Sequence, residues 1–203
     1  MKKITLLTVL LTSVLISCNN APEVKKSCCS TKNQSVTIDS LSGESVYNLT
    51  SNWTSQKEEK FQLSHFRNKT VLAAMVFTHC ESACPRLVAD MKRLESSLTE
   101  TELQKISFLL ISMDPERDTP SRFREFASIH KLNDNWTLVS SSQDATTEIA
   151  NVLGVRVKKL EDGGFDHSNV IFVLDKNGVI VNQQNGFAVE QKEILKSIKL
   201  LVQ

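Results

Sequence analysis

Two near-continuous apolar runs, Thr70 to Thr78 (TVLAAMVFT) and Ile106 to Met113 (ISFLLISM), constrain the fold more than any other feature of the chain. A strand with one wet face alternates apolar and polar residues, so runs without alternation read as strands covered on both faces. Between them, Pro85 to Leu98 carries Leu87, Met91 and Leu94 at helical spacing, and Pro85 suits a first helical turn. Thr119-Pro120 then opens a helix to about His130, with Thr as N-cap and Pro at the first helical position. Trp136 to Val139 reads as a short strand, and Ser141-Ser142-Gln143-Asp144 as the capped start of a helix running to Leu153 and stopping at Gly154. Val155 to Leu160 and Val170 to Leu174 are further strands. The turn Asp175-Lys176-Asn177-Gly178 predicts a hairpin from the second of these to Val179-Ile180-Val181, before a last helix from about Val189 to Val202. Val46 to Leu49 and Phe61 to Leu63 read as short early strands. The order predicts an α/β fold, a mixed sheet with helices on both faces.

The N-terminus predicts export. Met1-Lys2-Lys3 is a short positive segment, and the apolar run from Ile4 to Ile16 is shorter than the ~20 residues a spanning helix needs, so it reads as a signal-peptide core. It ends in Leu15-Ile16-Ser17-Cys18, which resembles the lipobox of bacterial lipoproteins; that resemblance implies cleavage before Cys18 and acylation of that residue. Residues 18–40 are rich in Ser, Asn, Lys and Thr without periodicity and read as a flexible tether, which leaves 41–203 as the folded domain. The expected location is the bacterial cell envelope, with the domain held at a membrane by lipid and facing the extracytoplasmic side. Removing Lys2 and Lys3 from 24 basic residues leaves 22 against 23 acidic, a formal charge of −1. That balance gives no footprint for nucleic acid.

Export changes how cysteines are read. Disulfide staples close long loops between distant elements. Here the only pair in the folded region, Cys80 and Cys84, is four residues apart, and closing so short a loop constrains the unfolded chain little. Both sit in Phe77-Thr78-His79-Cys80-Glu81-Ser82-Ala83-Cys84-Pro85, where a buried strand hands over to a helix. Sites in open α/β sheets gather beyond the carboxyl ends of strands, and a helix N-terminus favours thiolates. The pair can close a disulfide or pinch a soft ion such as Cu(I) or Zn(II). A structural zinc site wants four ligands and this region supplies two cysteines, whereas copper accepts two or three. Adjacent Cys28 and Cys29 read as exposed thiols in the tether, or as an auxiliary metal-capture or intermolecular disulfide site.

Three ordered segments resemble the Sco/SenC family, copper chaperones that help assemble the CuA centre of cytochrome c oxidase. They are FTHCESACP around Cys80, Asp114-Pro115-Glu116-Arg117-Asp118-Thr119-Pro120, and Asp166-His167-Ser168. The resemblance runs from about residue 41 to the C-terminus. It implies a thioredoxin-like fold with a short N-terminal β extension, and copper, as Cu(I) or Cu(II), held by Cys80, Cys84 and His167. It implies as partner the oxidase subunit that carries CuA. Family members often place proline after the first cysteine; here Glu81 stands there, and a carboxylate at that point is expected to disfavour the thiolate. The other reading of the pair is a thiol–disulfide oxidoreductase or redox sensor acting on a partner's cysteines, for which Cys80 and Cys84 suffice and His167 is not needed.

Residues near the pair have lesser expected roles. Asp162-Gly163-Gly164 before His167 reads as a mobile turn that puts the imidazole on a loop, with Asp166 as its orienting partner. His79 is a rival ligand whose simpler role is hydrogen bonding at the turn. His65 and His130 read as surface residues, the latter at a helix end where a cation is favoured. Asp114 and Asp118 suit a polar docking loop, or turn formation and helix initiation. Met75, Met91 and Met113 follow strand or helix patterns as core fillers.

Overall fold

The computed structural model describes residues 41–203; the segments read as signal and tether, with Cys18, Cys28 and Cys29, lie outside the described residues. The two apolar runs form β3 (Thr70–Val76) and β4 (Ile106–Ser112), parallel and in register from Thr70 opposite Ile106 to Val76 opposite Ser112. Every residue of both strands is buried. Because successive side chains point to opposite faces, the sheet is covered on both. α1 (Ala83–Ser96) follows β3 and buries Leu87, Met91 and Leu94; a single capped turn, α2 (Glu100–Leu103), leads into β4.

After β4, Thr119 caps α3 (Pro120–Ile129) by accepting the Arg122 amide, and β5 (Trp136–Ser140) runs parallel to β4. Ser142 caps α4 (Gln143–Leu153), and Gly154, at φ +67°, ends it in the left-handed conformation. A two-stranded hairpin of β6 (Val157–Lys159) and β7 (Phe165–His167) forms its own small sheet. β8 (Val170–Leu174) then pairs antiparallel with both β3 and β9 (Ile180–Asn185), and α5 (Lys192–Val202) closes the chain. With β1 (Trp53–Ser55) and β2 (Lys60–Phe61) extending the far edge, the main sheet reads β2-β1-β5-β4-β3-β8-β9. This is the expected thioredoxin-like mixed sheet flanked by helices, with its N-terminal β extension. Among the described residues, no helix is long and apolar enough to cross a membrane.

Two local expectations fail: of Phe61 to Leu63 only Phe61 lies in a strand, β2, while Leu63 opens a 3-10 turn to Phe66, and the Val46 to Leu49 strand does not form. Val46–Asn48 is a 3-10 turn rather than a strand, because its polar groups are spent on the β8–β9 turn: Val46 donates its amide to the Gly178 carbonyl, and the Ser45 hydroxyl donates to the Asn177 carbonyl. The early strand is instead Trp53–Ser55, whose pattern is too short to stand out in sequence. Gly178 has φ +80°, and a Cβ there would lie 2.6 Å from the Tyr47 ring. Gly178→Ala is therefore expected to cost about 2–3 kcal/mol, from left-handed strain plus overpacking, read as a lower urea midpoint at unchanged slope.

Candidate metal centre

β3 ends at Val76, and the next eight residues place both thiols at the start of α1. The Cys80 amide closes a turn on the Phe77 carbonyl at 3.2 Å. Ser82, the N-cap of α1, makes no side-chain bond to the first turn. The Cys80 sulfur does that work instead, accepting the Cys84 amide at 3.3 Å. The Phe77 amide in turn donates to Cys84 Sγ at 3.5 Å. Both cysteines are free thiols, Cys80 half-buried and Cys84 fully buried.

This geometry splits the pair electrostatically. A hydrogen bond from the Cys84 thiol, helped by the amides of Cys84, Ser82 and Ala83, outweighs partial burial and pulls the Cys80 pKa down to about 5. Cys84 is pushed up, because its proton serves Cys80 and because it is buried. Glu81 is exposed and is not among the groups that set Cys80. The expectation that this carboxylate suppresses the thiolate is not met; the Cys84 thiol decides, with the nearby amides adding to it.

His167 ends β7, opposite Val157, so it stands on a strand rather than on a loop. The Asp162–Gly164 segment is the tight turn of that hairpin, closed by Leu160 and Gly164. The orienting partner is the Ser168 carbonyl, 3.2 Å from Nδ1; Asp166 is exposed. A carbonyl can only accept, so Nδ1 donates and Nε2 is the ring nitrogen left to face a metal ion. Half-buried His167 also lines a cavity of about 320 Å³ with Arg156, Lys158 and Asp166, and neither cysteine is part of that lining.

The cysteines meet each other directly, and the histidine meets them through Phe77. That ring contacts His167 edge-on with centroids 6.0 Å apart and Phe165 at 5.0 Å, while the Phe77 amide holds Cys84. Among the described residues, the trio of ligand atoms gathered within 4.8 Å of one another is His79, Asp114 and Asp118, not Cys80, Cys84 and His167. Those two carboxylates are already occupied. Asp118 accepts from the Thr78 amide (3.1 Å), the Thr78 hydroxyl (2.6 Å) and the Ser112 hydroxyl (2.6 Å), and Asp114 pairs with Arg117. Both acids are buried, at 0% and 1% exposure, which corrects the docking-loop expectation. Burial raises the Asp118 pKa despite its donors.

Two residues escaped the sequence reading. Thr78 is gripped by Asp118 and by Arg122, whose guanidinium donates to the Thr78 hydroxyl and carbonyl at 3.1 and 2.8 Å. Arg117 reaches the Gly163 carbonyl at the tip of the β6–β7 hairpin. The available signal was the density of charge (Asp-Pro-Glu-Arg-Asp) immediately after a fully apolar strand. His65 is exposed, as expected, and stacks on Phe61. His130 differs from expectation: burial and Lys92 depress its pKa, and Lys92 supplies the helix-end cation by donating to the His130 carbonyl at 2.9 Å. Met75, Met91 and Met113 are buried in the core.

The SCO1/SenC family model matches residues 42–203. The chain belongs to the SCO1/SenC family. A SCO1/SenC family lipoprotein from Bacillus anthracis is 25% identical with a TM-score of 0.69, over 75% of this chain and 92% of that one. BsSco, described as a member of the Sco family of cytochrome c oxidase assembly proteins and as containing a disulfide switch, is 26% identical with a TM-score of 0.65, over 74% and 90%. ScoI from Bradyrhizobium japonicum, solved with copper bound, shares the fold at 22% identity and a TM-score of 0.64, over 74% and 96%. The SCO1/SenC match spans the whole described domain except Leu41 and contains Cys80, Cys84 and His167.

Proposed function

We propose that this SCO1/SenC protein is a copper chaperone of the bacterial cell envelope, anchored by lipid on Cys18 through the tether 18–40 after loss of signal residues 1–17. In this reading it carries copper on Cys80, Cys84 and His167 to the CuA-bearing subunit of cytochrome c oxidase. The observation that carries the proposal is the split thiol pair at the start of α1, half-buried Cys80 with its pKa drawn down to about 5 and buried Cys84 with its own pushed up, together with a His167 ring edge-on to Phe77, whose amide donates to Cys84. Soft sulfur donors suit Cu(I), and a neutral imidazole suits either copper state. The Cys80 thiolate is the first group ready to take the ion. Cys84 must then give up its proton, so copper uptake releases a proton and weakens as pH falls. Two thiolates leave one net negative charge on a Cu(I) site and none on a Cu(II) site, a difference that makes release sensitive to oxidation state. The copper-bound ScoI relative and the oxidase-assembly role given for BsSco support cargo and destination.

A thiol–disulfide reductase would need the pair but not His167, and family membership does not favour it. The test uses the full chain, reduced without oxygen. One equivalent of Cu(I) should bind, and the Cu(II) form should show an intense thiolate charge-transfer band. That band should vanish in Cys80→Ser or Cys84→Ser and shift in His167→Ala. No stoichiometric uptake, or a spectrum indifferent to His167→Ala, overturns the proposal.

A further inference from the structure

We infer that the loop joining β4 to α3 is a two-headed brace in which Arg117 is a positioning residue that sets where His167 stands relative to the cysteines. The inference rests on the Cys80–Cys84–His167 reading above. One head is Asp118, which fixes the cysteine loop through the amide and hydroxyl of Thr78, two residues before Cys80. The other is Arg117, whose Nε donates to buried Asp114 while its NH2 group donates to the Gly163 carbonyl. The heads are tied together: the Asp118 amide donates to the Asp114 carbonyl at 2.9 Å, and the Ser112 hydroxyl donates to Asp118 while accepting the Asp114 amide.

The hairpin needs such a hold. β6 and β7 pair only with each other, not with the main sheet, and a lone two-stranded hairpin is at best marginally stable in water. Phe77 supports one face of it, meeting Phe165 next to the turn and His167 at the base. At its tip, Lys159 pairs with Glu116 at 2.7 Å, but both side chains are more than half exposed and the pair contributes little. Arg117 has a buried carboxylate to aim it and a backbone carbonyl to grip. Gly163 leaves room for that grip: it turns at φ +81°, and a Cβ there would already lie 3.4 Å from the guanidinium. His167 lies four residues along the chain from this contact, at the other end of β7, so a freed tip loosens the strand that carries the imidazole.

Arg117→Lys is the discriminating variant, because it keeps a cation beside Asp114 but loses the planar fork that reaches Asp114 and Gly163 together. In the full chain it should leave the thermal midpoint near that of the wild type. Amide exchange of the metal-free protein should speed up in residues 157–167 while the start of α1 stays protected. Cu(I) affinity, measured against a competing chelator, should fall about 10–100-fold, as expected for loss of a group that orients a ligand. Arg117→Met should do the same or more, and on a His167→Ala background Arg117→Lys should cost no further affinity. Unchanged exchange in 157–167, or a full additional loss on the His167→Ala background, overturns the brace. If wild type binds no copper, or His167→Ala binds it unchanged, the copper reading fails and with it the assignment of Arg117 as a positioning residue; the exchange data then report only whether Arg117 holds the hairpin.

Discussion

Asp118→Ala is expected to destabilise the domain by about 3–5 kcal/mol, the largest effect of any single substitution near the cysteines. The carboxylate is wholly buried and accepts three hydrogen bonds from Thr78 and Ser112. Each buried polar group left without a partner costs about 1–3 kcal/mol. The Thr78 amide loses the carboxylate it donates to, whereas the two hydroxyls retain partial partners: Thr78 Oγ1 still accepts from Arg122, and Ser112 Oγ still accepts from the Asp114 amide. The loss therefore falls in the lower part of the three-orphan range. Urea unfolding should show a lower midpoint at unchanged slope, and a loss under about 1 kcal/mol would sink the account. The pH dependence has a definite sign. Burial makes the folded state bind the Asp118 proton more tightly than the unfolded chain does. Its contribution is then complete below the unfolded carboxylate range of ~3.9 and declines as pH rises through the folded value. Asp118→Asn removes this dependence, so wild type should lose ground to the variant as pH rises out of the acid range.

The sheet was legible because its signals are local. β3 and β4 announce themselves by unbroken apolar runs, and Thr119, Ser142 and Gly154 end their helices as cap chemistry requires. The cysteine pair was legible for the same reason, lying where a buried strand meets a helix. What stayed hidden depends on partners far along the chain. Asp118 reaches Thr78 across 40 residues, and Arg117 reaches Gly163 across 46, so Asp-Pro-Glu-Arg-Asp looks like an ordinary turn until the fold closes. β7 was missed because Phe165-Asp166-His167 is too short and too polar to alternate visibly, and only its pairing with Val157–Lys159 makes it a strand. Glu81 misled in the opposite direction. A charge adjacent in sequence was given more weight than the Cys84 thiol and the amides at the start of α1, whose approach to Cys80 exists only once the helix has formed.

Alkylation should separate the two cysteines by at least about 1,000-fold in initial rate at pH 7, with Cys80 modified and Cys84 spared. At a pKa of about 5, Cys80 is ~99% thiolate at neutral pH, where an ordinary thiol near 8.5 is roughly 3% ionised. Cys84 is fully buried and holds its proton well beyond that range. Absolute speed is the wrong readout for Cys80, because intrinsic nucleophilicity falls with pKa. On a Brønsted slope of about 0.4–0.5, lowering a thiol from ~8.5 to about 5 removes roughly 30-fold, close to what fuller ionisation returns at pH 7. The shape of the profile decides instead. Site-resolved labelling of the reduced full chain with iodoacetamide, followed by peptide mass spectrometry, should give a Cys80 rate that rises through about pH 5 and is flat by neutrality. Cys28 and Cys29 provide internal comparison. The same lowered pKa fixes the sign for folding: the thiolate stabilises the fold above the unfolded thiol range, and that contribution is lost as pH falls through about 5. A Cys80 profile centred near pH 8.5, or equal labelling of Cys80 and Cys84 in the folded protein, would remove the basis for a pre-ionised first ligand.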